Sequence, residues 1–184
     1  MNRVWITSDW HFGHDREFIW APRGFNSVWE MDKEIIKRYN EVVAPNDDVY
    51  CLGDAMLGDY GYGLSCIKQL KGNIHIIRGN HDTLTRMEAY KDCYNIVEVT
   101  EGQFLRYKSY HFYLCHYPVL CSNWDYDKPL KARIISLCGH QHTKDYGCDL
   151  DKGLIYHCEV DTNNCYPVLI DNIIDDIKEH INER

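Results

Sequence analysis

The sequence predicts an α/β protein of one domain, residues 1–184, with two mixed sheets packed face to face and helices outside. Three observations point there. The first ninety residues repeat a unit of short β-branched run, turn and helical stretch, the pattern of parallel strands with crossover helices. From Tyr94 to Leu114 the pattern changes to alternation, which suggests consecutive antiparallel strands. The chain closes on Ile170 to Ile181, where Ile173, Ile174, Ile177 and Ile181 recur at helical spacing.

Taken in order, Arg3 to Thr7 reads as the first strand and Asp15 to Trp20 as a short helix. Ser27 with Glu30 three residues on forms a capping box. The helix it opens carries Met31, Ile35, Ile36, Tyr39 and Val42 or Val43 as a core-facing stripe. Pro45-Asn46-Asp47-Asp48 is a turn, and Val49 to Leu52 is the second strand. Gly58 to Gly63 reads as a flexible glycine-rich connection into a helix from Leu64 to Leu70, without the Lys-Ser/Thr ending of a P-loop. Asn73 to Ile77 is the third strand, and Thr83 caps a helix over Leu84 to Tyr90. Val119 to Lys131 is loop-like; Arg133 to Cys138 and Leu154 to Val160 are strands, with Asp161-Thr162-Asn163-Asn164 as a turn between the latter and the final helix.

Composition narrows the function. Hydrophobic residues make up 45% and charged residues 26%, as in ordinary globular proteins. No apolar run approaches the roughly 20 residues that span a bilayer, and the chain opens without a signal-peptide pattern, so a cytoplasmic protein is expected. Nine cysteines without a C-x-x-C pair argue against both a disulfide framework and a zinc ribbon. Cys51, Cys115 and Cys138 sit inside apolar runs and read as small buried hydrophobes. A net charge of −8 and no basic stripe weigh against long DNA or RNA as substrate.

The informative feature is where polar side chains fall. Five apolar runs end in residues that bind metals. They lead into Asp9-Trp10-His11, Gly53-Asp54, Gly79-Asn80-His81-Asp82, His116 and Gly139-His140-Gln141-His142. Loops beyond the carboxyl ends of strands are where open α/β sheets present ligand-binding groups. Spacings of two place side chains on the same side of extended backbone. In the third segment an amide oxygen beside an imidazole suggests a metal ligand next to a general acid. Any one segment alone is weak; His116, for instance, has the plainer reading of a satisfied core histidine. Five together are specific.

These segments, in this order, resemble the calcineurin-like metallophosphoesterases, whose signature is D-x-H, G-D, G-N-H-D/E, H and G-H-x-H. The opening Ser8-Asp9-Trp10-His11-Phe12-Gly13-His14 is similar to that of a compact phage and bacterial branch. The resemblance implies a four-layer α/β/β/α sandwich. It implies Asp9, His11 and His142 as ligands of one metal, Asn80, His116 and His140 as ligands of a second, and Asp54 as the bridge. It gives His81 the role of proton donor to the leaving group, with Asp82 orienting His81 or its loop. The ligand set, with imidazole, carboxylate and amide and no thiolate, suits Mn²⁺, Fe, Zn, Ni or Co better than a soft metal, and two divalent ions, Mn²⁺ the expected one, are implied. Two such ions share a carboxylate at roughly 3.5–4 Å and bring a water towards neutral pKa. The expected activity is hydrolysis of phosphomonoesters or small phosphodiesters, nucleotides among them, by a hydroxide held between the metals.

His14 and Arg23 are candidate substrate contacts, Arg23 through a bidentate phosphate fork; a surface salt bridge is the plainer reading of Arg23. Arg78 is expected to pair with a neighbouring acid. Asn123, Trp124 and Tyr126 are candidates to border the site. Trp10 and Phe12, unusual for the family, are expected to alter its rim, or to pack in the core. Two other readings compete. A nuclease is disfavoured by the acidity, and a non-catalytic binding scaffold by the complete set of ligand positions.

Overall fold

The computed structural model describes residues 2–119, 128–143 and 154–182. Its strands are β1 (Val4–Thr7), β2 (Asp48–Cys51), β3 (Asn73–Ile77), β4 (Ile96–Thr100), β5 (Gln103–Tyr107), β6 (Tyr110–Leu114), β7 (Ile134–Cys138), β8 (Ile155–His157) and β9 (Val168–Leu169). Its helices are α1 (Glu17–Trp20), α2 (Val28–Val42), α3 (Tyr60–Ile67), α4 (Leu84–Tyr90) and α5 (Ile170–Asn182). One sheet has the order β4-β3-β2-β1-β9, the other β5-β6-β7-β8.

The period-two side-chain rule divides the first sheet between two cores. Trp5, Val49, Cys51, Ile74 and Ile76 face α2 and its Met31, Ile35 and Tyr39. Ile6, Tyr50, Leu52 and Ile77 face the other way and meet Phe112, Leu114, Ile135, Leu137 and Tyr156 of the second sheet. Ile170, Ile173, Ile174 and Ile177 of α5 close that second cluster. The result is two mixed sheets flanked by helices. Among the described residues no helix is long and apolar enough to cross a membrane.

Three expectations need correction. The alternating stretch is not a run of antiparallel strands. β4 pairs parallel with β3 and extends the first sheet, and only β5 and β6 form an antiparallel hairpin. Alternation reports a half-buried strand, not the direction of its neighbour; α4 acts as the crossover that brings β4 back parallel. The glycine-rich segment is not a flexible connection. α3 begins at Tyr60, capped by Asp59, whose carboxylate accepts from the Tyr62 amide at 2.7 Å. Gly63 lies inside that helix because a Cβ there would meet Met56 Sδ at 2.5 Å. Trp10 and Phe12 are fully buried in the α2-side core, so neither shapes the rim of the site. β9 was not anticipated: two residues leave too short a pattern to read.

Candidate metal centre

Each strand end delivers its polar residues to one place. Asp9 and His11 follow β1, Asp54 follows β2, Asn80 and His81 follow β3, His116 follows β6, and His140 and His142 follow β7. Asp9 Oδ1 lies 3.7 Å from His11 Nε2 and 3.6 Å from His142 Nε2. Asn80 Oδ1 lies 2.8 Å from His116 Nε2 and 2.8 Å from His140 Nδ1, and those nitrogens are 3.2 Å apart. Asp54 stands between the two sets, its Oδ2 at 3.7 Å from His11 Nε2 and 3.5 Å from His116 Nε2.

The backbone is strained to achieve this. Asp9, His11, Asp54, His140 and His142 all have φ between 50° and 79°, the left-handed region that non-glycine residues rarely occupy. The glycines beside them leave room for the carboxylates. A Cβ on Gly79 would collide with Asp54 Oδ1, and one on Gly139 with Ser8 Oγ and Asp9 Oδ2. Hence the glycines before Asn80 and His140 have a steric cause here.

The donor set fits divalent cations. Asp9 Oδ1 and His11 Nε2 are buried and have no hydrogen-bond partner. Buried polar atoms without partners are costly, and a cation would satisfy both. His116 Nδ1 lies 2.8 Å from the Leu52 carbonyl, which makes it the donor and turns the Nε2 lone pair towards the Asn80 oxygen. Two acceptors aimed at one point call for a cation between them. Burial alone would raise the Asp9 carboxyl; His11, His116 and His142 outweigh it and hold it well below the usual carboxylate range. Burial pushes Asp54 up to about 6, with Asp9 and Asp82 adding repulsion against the pull of His116 and the His81 amide. Both shifts are the mark of a crowded, dry carboxylate pair to which positive charge is welcome.

Supporting residues hold the ligands. Asp161 Oδ2 accepts from His142 Nδ1 at 2.9 Å, which fixes the tautomer and leaves His142 Nε2 facing Asp9. The same carboxylate takes Arg23 Nε at 2.9 Å and Arg23 Nη2 at 2.8 Å. Arg23 Nη2 also donates to the Asp9 carbonyl at 2.9 Å. The Arg23 side chain is only 1% exposed, so it is neither a phosphate fork nor a surface salt bridge. It is a buried tie between the loops carrying Asp9 and His142. The sequence reads Asp161 as part of a turn; the available signal of its role is an acid soon after an apolar strand end, the same form as Asp54. Burial raises the Asp161 carboxyl, but the bond from His142 and the Arg23 charge bring it down to about 2.

Of the two roles expected of Asp82, the structure favours the second. It orients the loop and not the His81 ring. Its Oδ2 accepts from the amides of Asp54 (2.7 Å) and Gly79 (2.9 Å), and its Oδ1 from Tyr90 Oη at 2.5 Å. It is fully buried and is a positioning residue. Arg78 pairs with Glu101 at 3.0 Å, as anticipated. Glu159, fully buried, accepts from the Gln141 amide at 3.2 Å and from His157 Nδ1 at 3.1 Å, and so steadies the loop between His140 and His142.

Over the ligands opens a cavity of about 520 Å³. His81 stands at its edge, its side chain 44% exposed and its Nε2 3.9 Å from Asp54 Oδ2; its amide donates to Asp54 Oδ1 at 2.8 Å. His14 lines the cavity too, with Nδ1 at 3.2 Å from His11 Nδ1. Phe18, Ile19 and Pro22 form another wall. Asn123, Trp124 and Tyr126 lie outside the described residues.

Comparison with known proteins agrees. Residues 2–176 match the calcineurin-like phosphoesterase family. An uncharacterised protein of Methanocaldococcus jannaschii is 29% identical over 179 residues, 95% of this chain and 90% of that protein. The gene 66 protein of Mycobacterium phage L5 is 35% identical over 86 residues, 45% of this chain and 41% of that protein. A crystal structure of a protein of unknown function from Aquifex aeolicus superposes with a TM-score of 0.73 at 21% identity, covering 95% of this chain and 99% of the other. An archaeal phosphodiesterase gives a TM-score of 0.51 at 18% identity, over 84% of this chain and 82% of that one. The structural likenesses bear on the fold.

Proposed function

Because the chain belongs to the calcineurin-like phosphoesterases, a family of metal-dependent phosphoric ester hydrolases, we propose that it hydrolyses phosphomonoesters or small phosphodiesters, nucleotides among them. The observation that carries this reading is the convergence of seven oxygen and nitrogen donors beneath His81. Asp9, His11 and His142 would hold one divalent ion, Asn80, His116 and His140 a second, and Asp54 both; Mn²⁺ is the first candidate. When bound, such ions polarise phosphoryl oxygens and lower the pKa of a water towards 7.

The chain's own residues supply the rest. His81 is exposed at the cavity edge, so its ring can meet the leaving-group oxygen of a bound ester and give it a proton. Its amide bond to Asp54 fixes the position of the loop from which that ring projects. If His11 presents Nε2 to a metal, its Nδ1 carries the proton and donates to His14 Nδ1. His14 then keeps its own proton on Nε2, a donor available to a phosphate oxygen in the cavity. Buried Asp82 and Arg23 keep both loops in register before substrate arrives. The net charge of −8 speaks against a long nucleic acid as the substrate.

The test is Mn²⁺-dependent hydrolysis of bis-p-nitrophenyl phosphate and p-nitrophenyl phosphate. Turnover that requires metal and falls about 100-fold or more in His81→Ala is expected, within the range typical of general acid catalysis. The preferred ester separates diesterase from monoesterase. An unchanged rate in His81→Ala would remove the assigned proton donor.

A further inference from the structure

A phosphate and two cations do not fill 520 Å³, and the remaining space has a definite chemistry. One side of the cavity is the polar cluster with His81 and Asn80. The short segment of α1 and its following turn also line the cavity, with Phe18, Ile19 and Pro22. Phe18 is the anomaly. It is 70% exposed, although it lies in a segment whose neighbour Ile19 is buried. Its ring meets His14 edge-on, with centroids 5.8 Å apart at 89°. An aromatic face left open beside a phosphate-handling site is the arrangement that stacks a planar ring.

The wall is also held firmly. Arg23 lies just beyond it and ties this segment to Asp161 and to the carbonyls of Asp9 and Trp10. The Phe25 amide bonds back to the Trp20 carbonyl at 3.1 Å. These bonds link the turn that follows this wall to the loops carrying Asp9 and Asp161.

We propose that Phe18, with Ile19 and Pro22, seats the nucleobase of the substrate, which makes nucleoside phosphates the preferred class of ester. Phe18, Ile19 and Pro22 carry no side-chain group that reads a base edge, so stacking on them selects for a flat ring and is tolerant of which base it is. This inference rests on the phosphoesterase reading.

The experiment is calorimetric binding of AMP, ribose 5-phosphate and inorganic phosphate to the Mn²⁺-loaded protein, repeated in Phe18→Ala and Phe18→Trp. AMP and ribose 5-phosphate differ only in the base. AMP is expected to bind about 10- to 100-fold more tightly than ribose 5-phosphate, the range set by stacking of one base. That ratio should fall several-fold in Phe18→Ala and persist in Phe18→Trp, both at an exposed position where folding is not at risk. Equal binding of the two ligands, or a ratio that Phe18→Ala leaves intact, would overturn the proposal while leaving the phosphoesterase reading in place. Failure of all three ligands, inorganic phosphate included, would overturn the reading beneath it.

Discussion

The two halves of the proposed metal centre are built differently. The half containing Asp9, His11 and His142 is charged, deeply placed and braced. Asp9 and His11 are buried, and His142 is held through Asp161 to buried Arg23. The half containing Asn80, His116 and His140 has three neutral ligands of its own. Only His116 among them is buried, while Asn80 and His140 are exposed. Asp54 stands between the halves, and Asp9 also reaches within 4.8 Å of His116. Coulomb attraction in a water-poor site favours the first half, since each added carboxylate at short range outweighs a neutral donor. On the proposed ligand assignment the centre would be asymmetric, holding one ion tightly and a second more exchangeably.

The largest effect belongs to the shared residue. Asp54→Asn removes the carboxylate both halves use, and hydrolysis should fall by more than the roughly 100-fold that bounds outer-shell changes in metal sites. Steady-state assays at saturating Mn²⁺ check this; near-normal turnover would mean that the halves act independently. A smaller and one-sided effect belongs to Asp161→Asn. It weakens the orienting bond to His142 but removes no ligand. Affinity for the tight ion should drop about 10- to 100-fold, read by competition with a chelating dye, while the weaker ion is unaffected. Equal weakening of both ions would show that Asp161 supports the fold and not the first half.

How much of this was legible beforehand follows from the physics of each part. The convergence of the candidate ligands was readable because each sits directly after an apolar run, where strand ends must deliver a site. Sharp turns there demand glycine, and Gly79 and Gly139 mark the places where no Cβ fits beside a carboxylate. The α2 helix was readable from its cap and stripe, and the structure keeps both: Ser27 Oγ accepts from the Glu30 amide at 3.2 Å. The parallel placement of β4 was not readable, because strand direction depends on a partner far along the chain. Nor was Arg23, whose value lies in a carboxylate 138 residues away. The first turn of α3, ahead of Leu64, was not readable because glycine is a poor helix former by propensity, and only the close approach of Met56 explains Gly63.

The most direct test is a calorimetric titration of the metal-stripped protein with Mn²⁺, beside His140→Ala. Two binding steps of unequal affinity are expected in the unaltered chain. In His140→Ala only the tighter step should survive, with stoichiometry falling from two ions to one. A single step in the unaltered chain, or loss of the tighter step in His140→Ala, would contradict a centre made of one braced, charged half and one open, neutral half.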